Sequence, residues 1–268
     1  MPVFVIILIA VTLGFLIHHG MAARFCKFAR GLMTEVEQGH SAKPRALPDR
    51  IRRLAITASV GPKAPRSIRL TQCCRMRLAP DRPWLAMEAV QVISPRNAAF
   101  AWVARRKKAF VTLLTVVDAL VDGKGILEAR LFGSIPIAKA TGPDVDHAEL
   151  IRYLAELPWA PDATVFNSTL DWRENEDGSI TVSCTVDPRS TVTFLLDGDD
   201  IVQVKAMRPR TSRNQTIMTS WCGWFEDYRR IGGRRVPTSG KVAWILDDEP
   251  FVYWEGQILN YDVTESND

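Results

Sequence analysis

Few residues of this 268-residue chain are of a type and spacing that would do chemistry. His147 is the only histidine in the body of the sequence, because His18 and His19 end an apolar N-terminal run and His40 follows in a polar stretch. An imidazole titrates near neutrality and could move a proton, but no G-x-S-x-G or other nucleophile signature accompanies it. Its place in the first turn of a helix makes an exposed surface residue the plain expectation. An enzyme built on this chain would draw its other acid–base groups from Glu226, Asp227 and Glu255, which would have to converge on one pocket. Gly123-Lys124-Gly125 lacks the spacing of a phosphate loop and reads as a hairpin turn. Asp197, Asp199 and Asp200 miss the EF-hand spacing, and Asp247-Asp248-Glu249 runs into a proline, so both acidic runs read as turns. The cysteines (Cys26, Cys73, Cys74, Cys184 and Cys222) are odd in number and form no C-x-x-C, which fits neither a disulfide framework nor a zinc site. No catalytic residue, metal or cofactor is therefore expected.

The aromatic residues are the more informative group. Nine of the chain's 23 Phe, Trp and Tyr fall between Trp221 and Tyr261. Strand alternation puts Trp221 and Phe225 on one face there, and Trp224 and Tyr228 on the other. These rings can form an ordinary core with cross-strand pairs, or one face can wall an apolar pocket in a curved sheet. In the second case the lining is expected to be Phe100, Trp102, Trp221, Trp224, Phe225, Tyr228, Trp244, Tyr253 and Trp254.

Strands must position these groups. From Ser67 apolar residues recur with period two, Ile68, Leu70, Cys74, Met76 and Leu78 alternating with polar partners. Further strands are expected at Trp84–Ser94, Ala98–Arg106, Thr112–Val121, Gly125–Phe132, Ser168–Arg173, Ser179–Asp187, Thr191–Leu196 and Ile201–Met207. Three long ones follow at Thr216–Arg230, Arg234–Leu246 and Tyr253–Val263. In Ser179–Asp187 the inward set is Ile180, Val182, Cys184 and Val186. Phe100-Ala101-Trp102-Val103-Ala104 is apolar on both faces, so it is covered on both sides or lines a cavity on one. One internal helix interrupts the strands: Asp144 or Asp146 can cap it, Leu150, Ile151, Leu154 and Leu157 form its stripe, and Pro158 stops it. A short helix capped by Asp49 precedes the first strand. A dozen strands joined by short turns predict a mainly β (α+β) body: a large curved antiparallel sheet or half-barrel with one internal helix.

The N-terminus is of another kind. Pro2–Ala23 has no Asp, Glu, Lys or Arg, and as a helix it would span ~33 Å, enough for a bilayer core of ~30 Å. With no basic n-region and Arg24 directly after Ala22-Ala23, an uncleaved single-pass anchor in the inner membrane is expected rather than a signal peptide. The organisation is then anchor 2–23, basic linker 24–48 and one β-rich domain 49–268. Between Arg24 and Arg66 ten Lys or Arg face only Glu35, Glu37 and Asp49. That neck would be drawn to anionic headgroups by ~1 kcal/mol per cation held near the surface, or it is a solvated linker. Aromatics are not interleaved with the basic residues, which argues against nucleic acid as a partner. Arg24, Lys27 and Arg30 after the span, with no cation before it, place the body in the cytoplasm.

Two stretches carry a resemblance. Ala129–Pro143 (ARLFGSIPIAKATGP) with Glu149–Trp159 (ELIRYLAELPW), and Phe225–Trp244 (FEDYRRIGGRRVPTSGKVAW), resemble a bacterial family of uncharacterised, membrane-anchored proteins known only as a domain of unknown function. The likeness runs from about Arg53 to Tyr261, and it brings no activity or catalytic residues with it. The pattern of Tyr228, Gly233 and Val236-Pro237 is also similar to late strands of the lipoprotein-carrier (LolA/LolB-like) half-barrels. That resemblance implies an incomplete barrel with a helix in its mouth, an interior suited to acyl chains and a periplasmic setting, against the flank charges. Three functions stay open. The first is a non-enzymatic, membrane-anchored domain that binds an apolar ligand, a lipid or acyl chain. The others are an enzyme acting on a membrane-derived substrate and a scaffold that binds a partner.

Overall fold

The computed structural model describes residues 2–38, 44, 46–212 and 215–265. The chain opens with helix α1 (Pro2–Gln38), longer than the expected anchor. Residues 24–38, read from sequence as the start of a linker, continue the helix; 39–43 and 45 lie outside the described residues. Helix α2 (Asp49–Thr57) follows. Its N-cap is Pro48, and Asp49 caps nothing but pairs with Arg52 within the first turn.

Six strands come next: β1 (Ser67–Met76), β2 (Leu85–Ile93), β3 (Phe100–Lys108), β4 (Val111–Val121), β5 (Lys124–Leu131) and β6 (Ile135–Ala140). Helix α3 (Pro143–Ala155), a 3-10 turn (Leu157–Trp159) and the short helix α4 (Asp162–Phe166) interrupt them. Seven more strands complete the body: β7 (Leu170–Glu174), β8 (Ile180–Cys184), β9 (Asp187–Asp197), β10 (Asp200–Ser212), β11 (Gln215–Ile231), β12 (Arg234–Leu246) and β13 (Glu249–Thr264).

All thirteen strands belong to one antiparallel sheet, ordered β6-β5-β4-β3-β2-β1-β13-β12-β11-β10-β9-β8-β7. The chain thus lays down one arm, crosses through α3, and builds the other arm back until β13 pairs with β1 (Ser67 opposite Thr264, Met76 opposite Trp254). The arms curl toward each other, and α3 packs against β4 and β5 of one and β8, β9 and β10 of the other. This is the mainly β, curved antiparallel architecture with an internal helix that the sequence predicted.

The differences have local causes. β6 was not expected: it is a solvent-facing edge strand containing Pro136, and proline is tolerated at an edge where the ladder needs no further donor. The alternation was read too far at two ends. β1 stops at Met76 and β8 at Cys184, so Leu78 and Val186 are exposed in the following turns. Neither Asp144 nor Asp146 caps α3, whose N-cap is Gly142. Asp146 instead accepts a hydrogen bond from the Gly125 N–H at 2.7 Å, which ties the helix start to β5.

Each face of the sheet has its own core. On the convex face Val92, Ala101, Val103, Val117, Ala119 and Val121 meet Phe25, Ala29, Leu32 and Val36 of α1. On the concave face Leu150, Ile151 and Leu154 of α3 sit among Phe100, Trp102, Val116, Leu120, Val182 and Phe194. β3 feeds both, sending Phe100, Trp102 and Ala104 inward and Ala101 and Val103 outward.

Candidate functional site

The stripe that fixes α3 against the sheet leaves Glu149, Arg152 and Glu156, spaced i, i+3 and i+7, on the side that faces the hollow of the curl. Buried charges persist only when paired, and here each finds partners from distant strands. The Arg152 guanidinium donates from Nη1 to Asp118 Oδ2 on β4 and from Nε to Glu156 Oε1, both at 2.8 Å. Arg208 of β10 donates to Glu149 Oε1 at 3.3 Å, to the Ala148 carbonyl at 3.1 Å and to the Tyr253 hydroxyl at 3.4 Å. Gln91 donates to Glu156 Oε2, Gln72 to Gln91 Oε1 at 3.1 Å, and Trp102 Nε1 to Gln72 Oε1 at 2.9 Å. The result is a polar strip across β1, β2, β3, β4, α3 and β10.

Three acids face two guanidinium groups in that strip. Burial pushes the Glu149 carboxyl up to about 7, only partly opposed by Arg208. Asp118 is raised by the same cause against the pull of Arg152. Burial works against the charge of Arg152, but Glu156, Asp118 and Glu149 outweigh it and hold the guanidinium protonated. A proton on Glu149 near neutrality therefore relieves the excess negative charge. Asp118 Oδ1 and Glu149 Oε2 are buried without a hydrogen-bond partner.

Beside the strip lies a cavity of about 380 Å³. Its walls include Trp102, Trp221, Phe225, Trp244, Tyr253 and Trp254 from the sheet and Trp159 from the turn after α3. Trp159 Nε1 donates to the Pro237 carbonyl at 3.0 Å, and its ring meets Phe225 edge-on at 5.4 Å and Trp254 at 6.2 Å. Gly240 makes room for it, since a Cβ there would lie 3.0 Å from the indole. Trp244 stacks on Tyr253 at 5.8 Å, and Trp221 Nε1 donates to the Tyr253 hydroxyl at 2.9 Å. Burial also raises the pKa of that hydroxyl. Such a space, apolar walls with a few convergent polar groups, is the form of a small-molecule pocket.

Seven of the nine aromatics named from sequence border this cavity, Trp224 among them although it is out of phase with Trp221 and Phe225 and lies under Lys241. Phe100 faces the same way as Trp102 but is fully buried beneath the Arg152 guanidinium, 4.9 Å from its ring centroid. Tyr228 follows Asp227, whose φ of 57° is left-handed, and lies elsewhere, its hydroxyl donating to the Ile201 carbonyl at 2.7 Å. Sequence reasoning missed the charged strip. Its available signal was Asp118, an acid within the otherwise apolar run Val116–Val121.

The acid–base candidates do not meet. His147, expected at the surface, is mostly buried, its Nδ1 2.9 Å from Ser190 Oγ and 3.4 Å from Asp187 Oδ2. Both partners thus lie on the same ring nitrogen, whereas a catalytic triad uses the two nitrogens separately. The cleft beside it, about 420 Å³, is walled in part by exposed Asp122, Pro143, Val186 and Arg189. Glu226 pairs with Lys241 and Glu255 with Arg75, both at the surface. Asp197, Asp199 and Asp200 form a turn, and among the described residues no group of three or more His, Cys, Asp or Glu is placed to hold a metal.

Comparison with curated proteins finds no match. Among solved structures the chain is similar to a LolA superfamily protein from Nitrosomonas europaea (10% identity, TM-score 0.46, covering 81% of this chain and 95% of that one). It is also similar to a DUF1329 family protein from Desulfovibrio piger (8% identity, TM-score 0.45, 80% and 90% covered). A third, described as an outer membrane lipoprotein-sorting protein domain, from Vibrio parahaemolyticus, gives 9% identity, TM-score 0.44, and 81% and 92% covered. Residues 37–256 match the model of a family of unknown function, DUF6544. That stretch takes in both arms of the sheet, α3 and the cavity, and the protein belongs to this family.

Proposed function

We propose that the protein is a membrane-tethered binder of an apolar ligand, a lipid or acyl chain, whose hydrocarbon part fills the aromatic cavity and whose polar end meets the Glu149–Arg208 strip. The cavity itself carries this reading. Eight aromatic side chains and the charged groups Glu149, Arg152 and Arg208 line one space of about 380 Å³ that opens to solvent. An apolar occupant would displace water from the rings while its polar end met the charged groups.

α1 supports the tether. It is long and apolar enough to cross a membrane, and its side chains described between Val3 and Ile17 are all exposed. In this reading the span lies in the inner membrane and the basic flank Arg24, Lys27 and Arg30 holds the body in the cytoplasm. A reporter that is active only in the periplasm, fused after Asp268, checks the side: it is expected to stay silent, and activity would move the body across.

The ligand is tested by native mass spectrometry of the full chain after exchange out of its membrane into detergent. One tightly held lipid per chain is expected in the wild type. Ala148→Phe, which projects a ring from α3 into the cavity, is expected to lose it. A wild type that is repeatedly empty, or a lipid that survives Ala148→Phe unchanged, would overturn the reading.

A further inference from the structure

One edge of the sheet carries features that the cavity does not use. β1, β3 and β5 run toward it, and β2, β4 and β6 return from it. The turns there expose Leu78, Phe110, Val111, Phe132, Ile135 and Ile137, with Phe110 wholly in solvent. A lone apolar residue at a surface needs no explanation, but six gathered at one edge do. Cations surround them. Segments 77–84, 105–111 and 130–139 hold eight Lys or Arg and one acid, Asp81. Lys107 reaches Glu88 and Arg130 reaches Glu128, while Arg106, Lys108 and Lys139 are exposed.

The path of α1 gives this edge its meaning. Val36 lies at the opposite edge with Ala99 and Val121, and the helix then crosses the convex face and meets the β5–β6 turn at His18, whose Nδ1 is 2.6 Å from Ser134 Oγ. Ala22 sits against Gly133 in the same turn. The apolar half of α1 therefore leaves the body beside Phe132 and Ile135. The cavity reaches this edge through Met76, the last residue of β1. Further round, the acidic turn Asp247-Asp248-Glu249 between β12 and β13 bounds the basic surface.

We propose that the β1–β6 edge rests on an anionic bilayer, with Phe110, Phe132 and Ile135 entering the acyl boundary and Arg106, Lys107, Lys108 and Lys139 meeting the headgroups. Apolar tips amid cations match such a surface in both polarity and charge. The inference rests on the reading of α1 as a membrane span, and it adds that the body lies against the membrane with its cavity close to it, rather than hanging free on a tether.

The test uses the full chain in vesicles of phosphatidylcholine with phosphatidylglycerol. The photocrosslinker p-benzoylphenylalanine replaces Phe110, Phe15 within the span, or Lys124 at the opposite edge. Lipid adducts are expected at positions 15 and 110 and not at 124. In phosphatidylcholine alone, or with Lys107→Glu and Lys108→Glu, labelling at 110 is expected to fall about 5-fold or more while labelling at 15 holds. Adducts at 15 with position 110 no higher than 124 would overturn the docking and leave the tether standing. No adducts at 15 would overturn the tether, and the docking with it. Labelling at 110 that ignores lipid charge would remove the cations from the proposal.

Discussion

The two faces of the sheet are built from the same strands and are both apolar, yet they are covered in different ways. Along β3 the outward residues are Ala101 and Val103 and the inward ones Phe100, Trp102 and Ala104. Small side chains on the convex face let α1 approach closely and fill the space with Phe25, Ala29, Leu32 and Val36. The concave face carries indoles and phenols, and α3 brings charged groups among them. Rings of this size meet at edges and stacks, 5.4 Å between Trp159 and Phe225 and 5.8 Å between Trp244 and Tyr253, and a cavity remains. Apolar alternation thus shows that a face is buried but not whether it is filled. That depends on the size of the side chains and on what lies opposite them.

Three experiments would break or sharpen this contrast. The largest effect should come from what closes the concave side. Asp162, fully buried in α4, accepts two hydrogen bonds from the Arg234 guanidinium of β12 at 2.8 and 2.9 Å. Asp162→Ala leaves that charge without its partner and should cost ~3–5 kcal/mol, read as a lower urea midpoint; a loss below about 1 kcal/mol would mean that this loop is not held as described.

A matched pair of substitutions comes next. Ala101→Phe places a ring in the filled convex core and should cost ~3 kcal/mol. Ala148→Phe places the same ring beside the cavity and should change the stability of the lipid-free chain by ~0.5 kcal/mol or less, while displacing ligand from the loaded one. Equal losses in thermal melts of the full chain would erase the distinction between the faces.

The third effect is one of pH. Unfolded, Glu149 titrates near its ordinary 4.5, and folded near 7. The folded chain binds the proton more tightly between those values, so this contribution is fully present below about 4.5, is lost as pH rises through the window, and is flat above about 7. Glu149→Gln should remove that slope from the melting temperature measured from about pH 5 to about pH 8. A slope that persists in the variant would place the raised acid elsewhere, Asp118 first.

Period-two alternation located β1 and β8, a short run apolar on both faces located β3, and the stripe Leu150–Ile151–Leu154 located α3, because each is a local pattern within one element. Leu78 and Val186 were misplaced because alternation has no local mark for where pairing ends. β6 escaped because an exposed edge strand with Pro136 has no buried face to advertise. Among the aromatics, alternation did not give the depth: Phe100 and Trp102 point the same way and both lie under the Arg152 guanidinium, yet only Trp102 borders the cavity.

The amino-acid sequence by itself determined a span of apolar residues at the N-terminus, a pleated body, one internal helix and a concentration of aromatic rings in the last strands. Each is written in neighbouring residues, through composition or a period of two or 3.6. The tertiary structure alone decided that the rings leave a cavity and that Asp118, Glu149, Arg152, Glu156 and Arg208 meet beside it. It also decided that the apolar turns gather where α1 leaves the sheet. Arg152 is 34 positions from Asp118, and Arg208 is 59 from Glu149. Contacts at such separations arise from the curl of thirteen strands about one helix, a long-range geometry that no local pattern encodes.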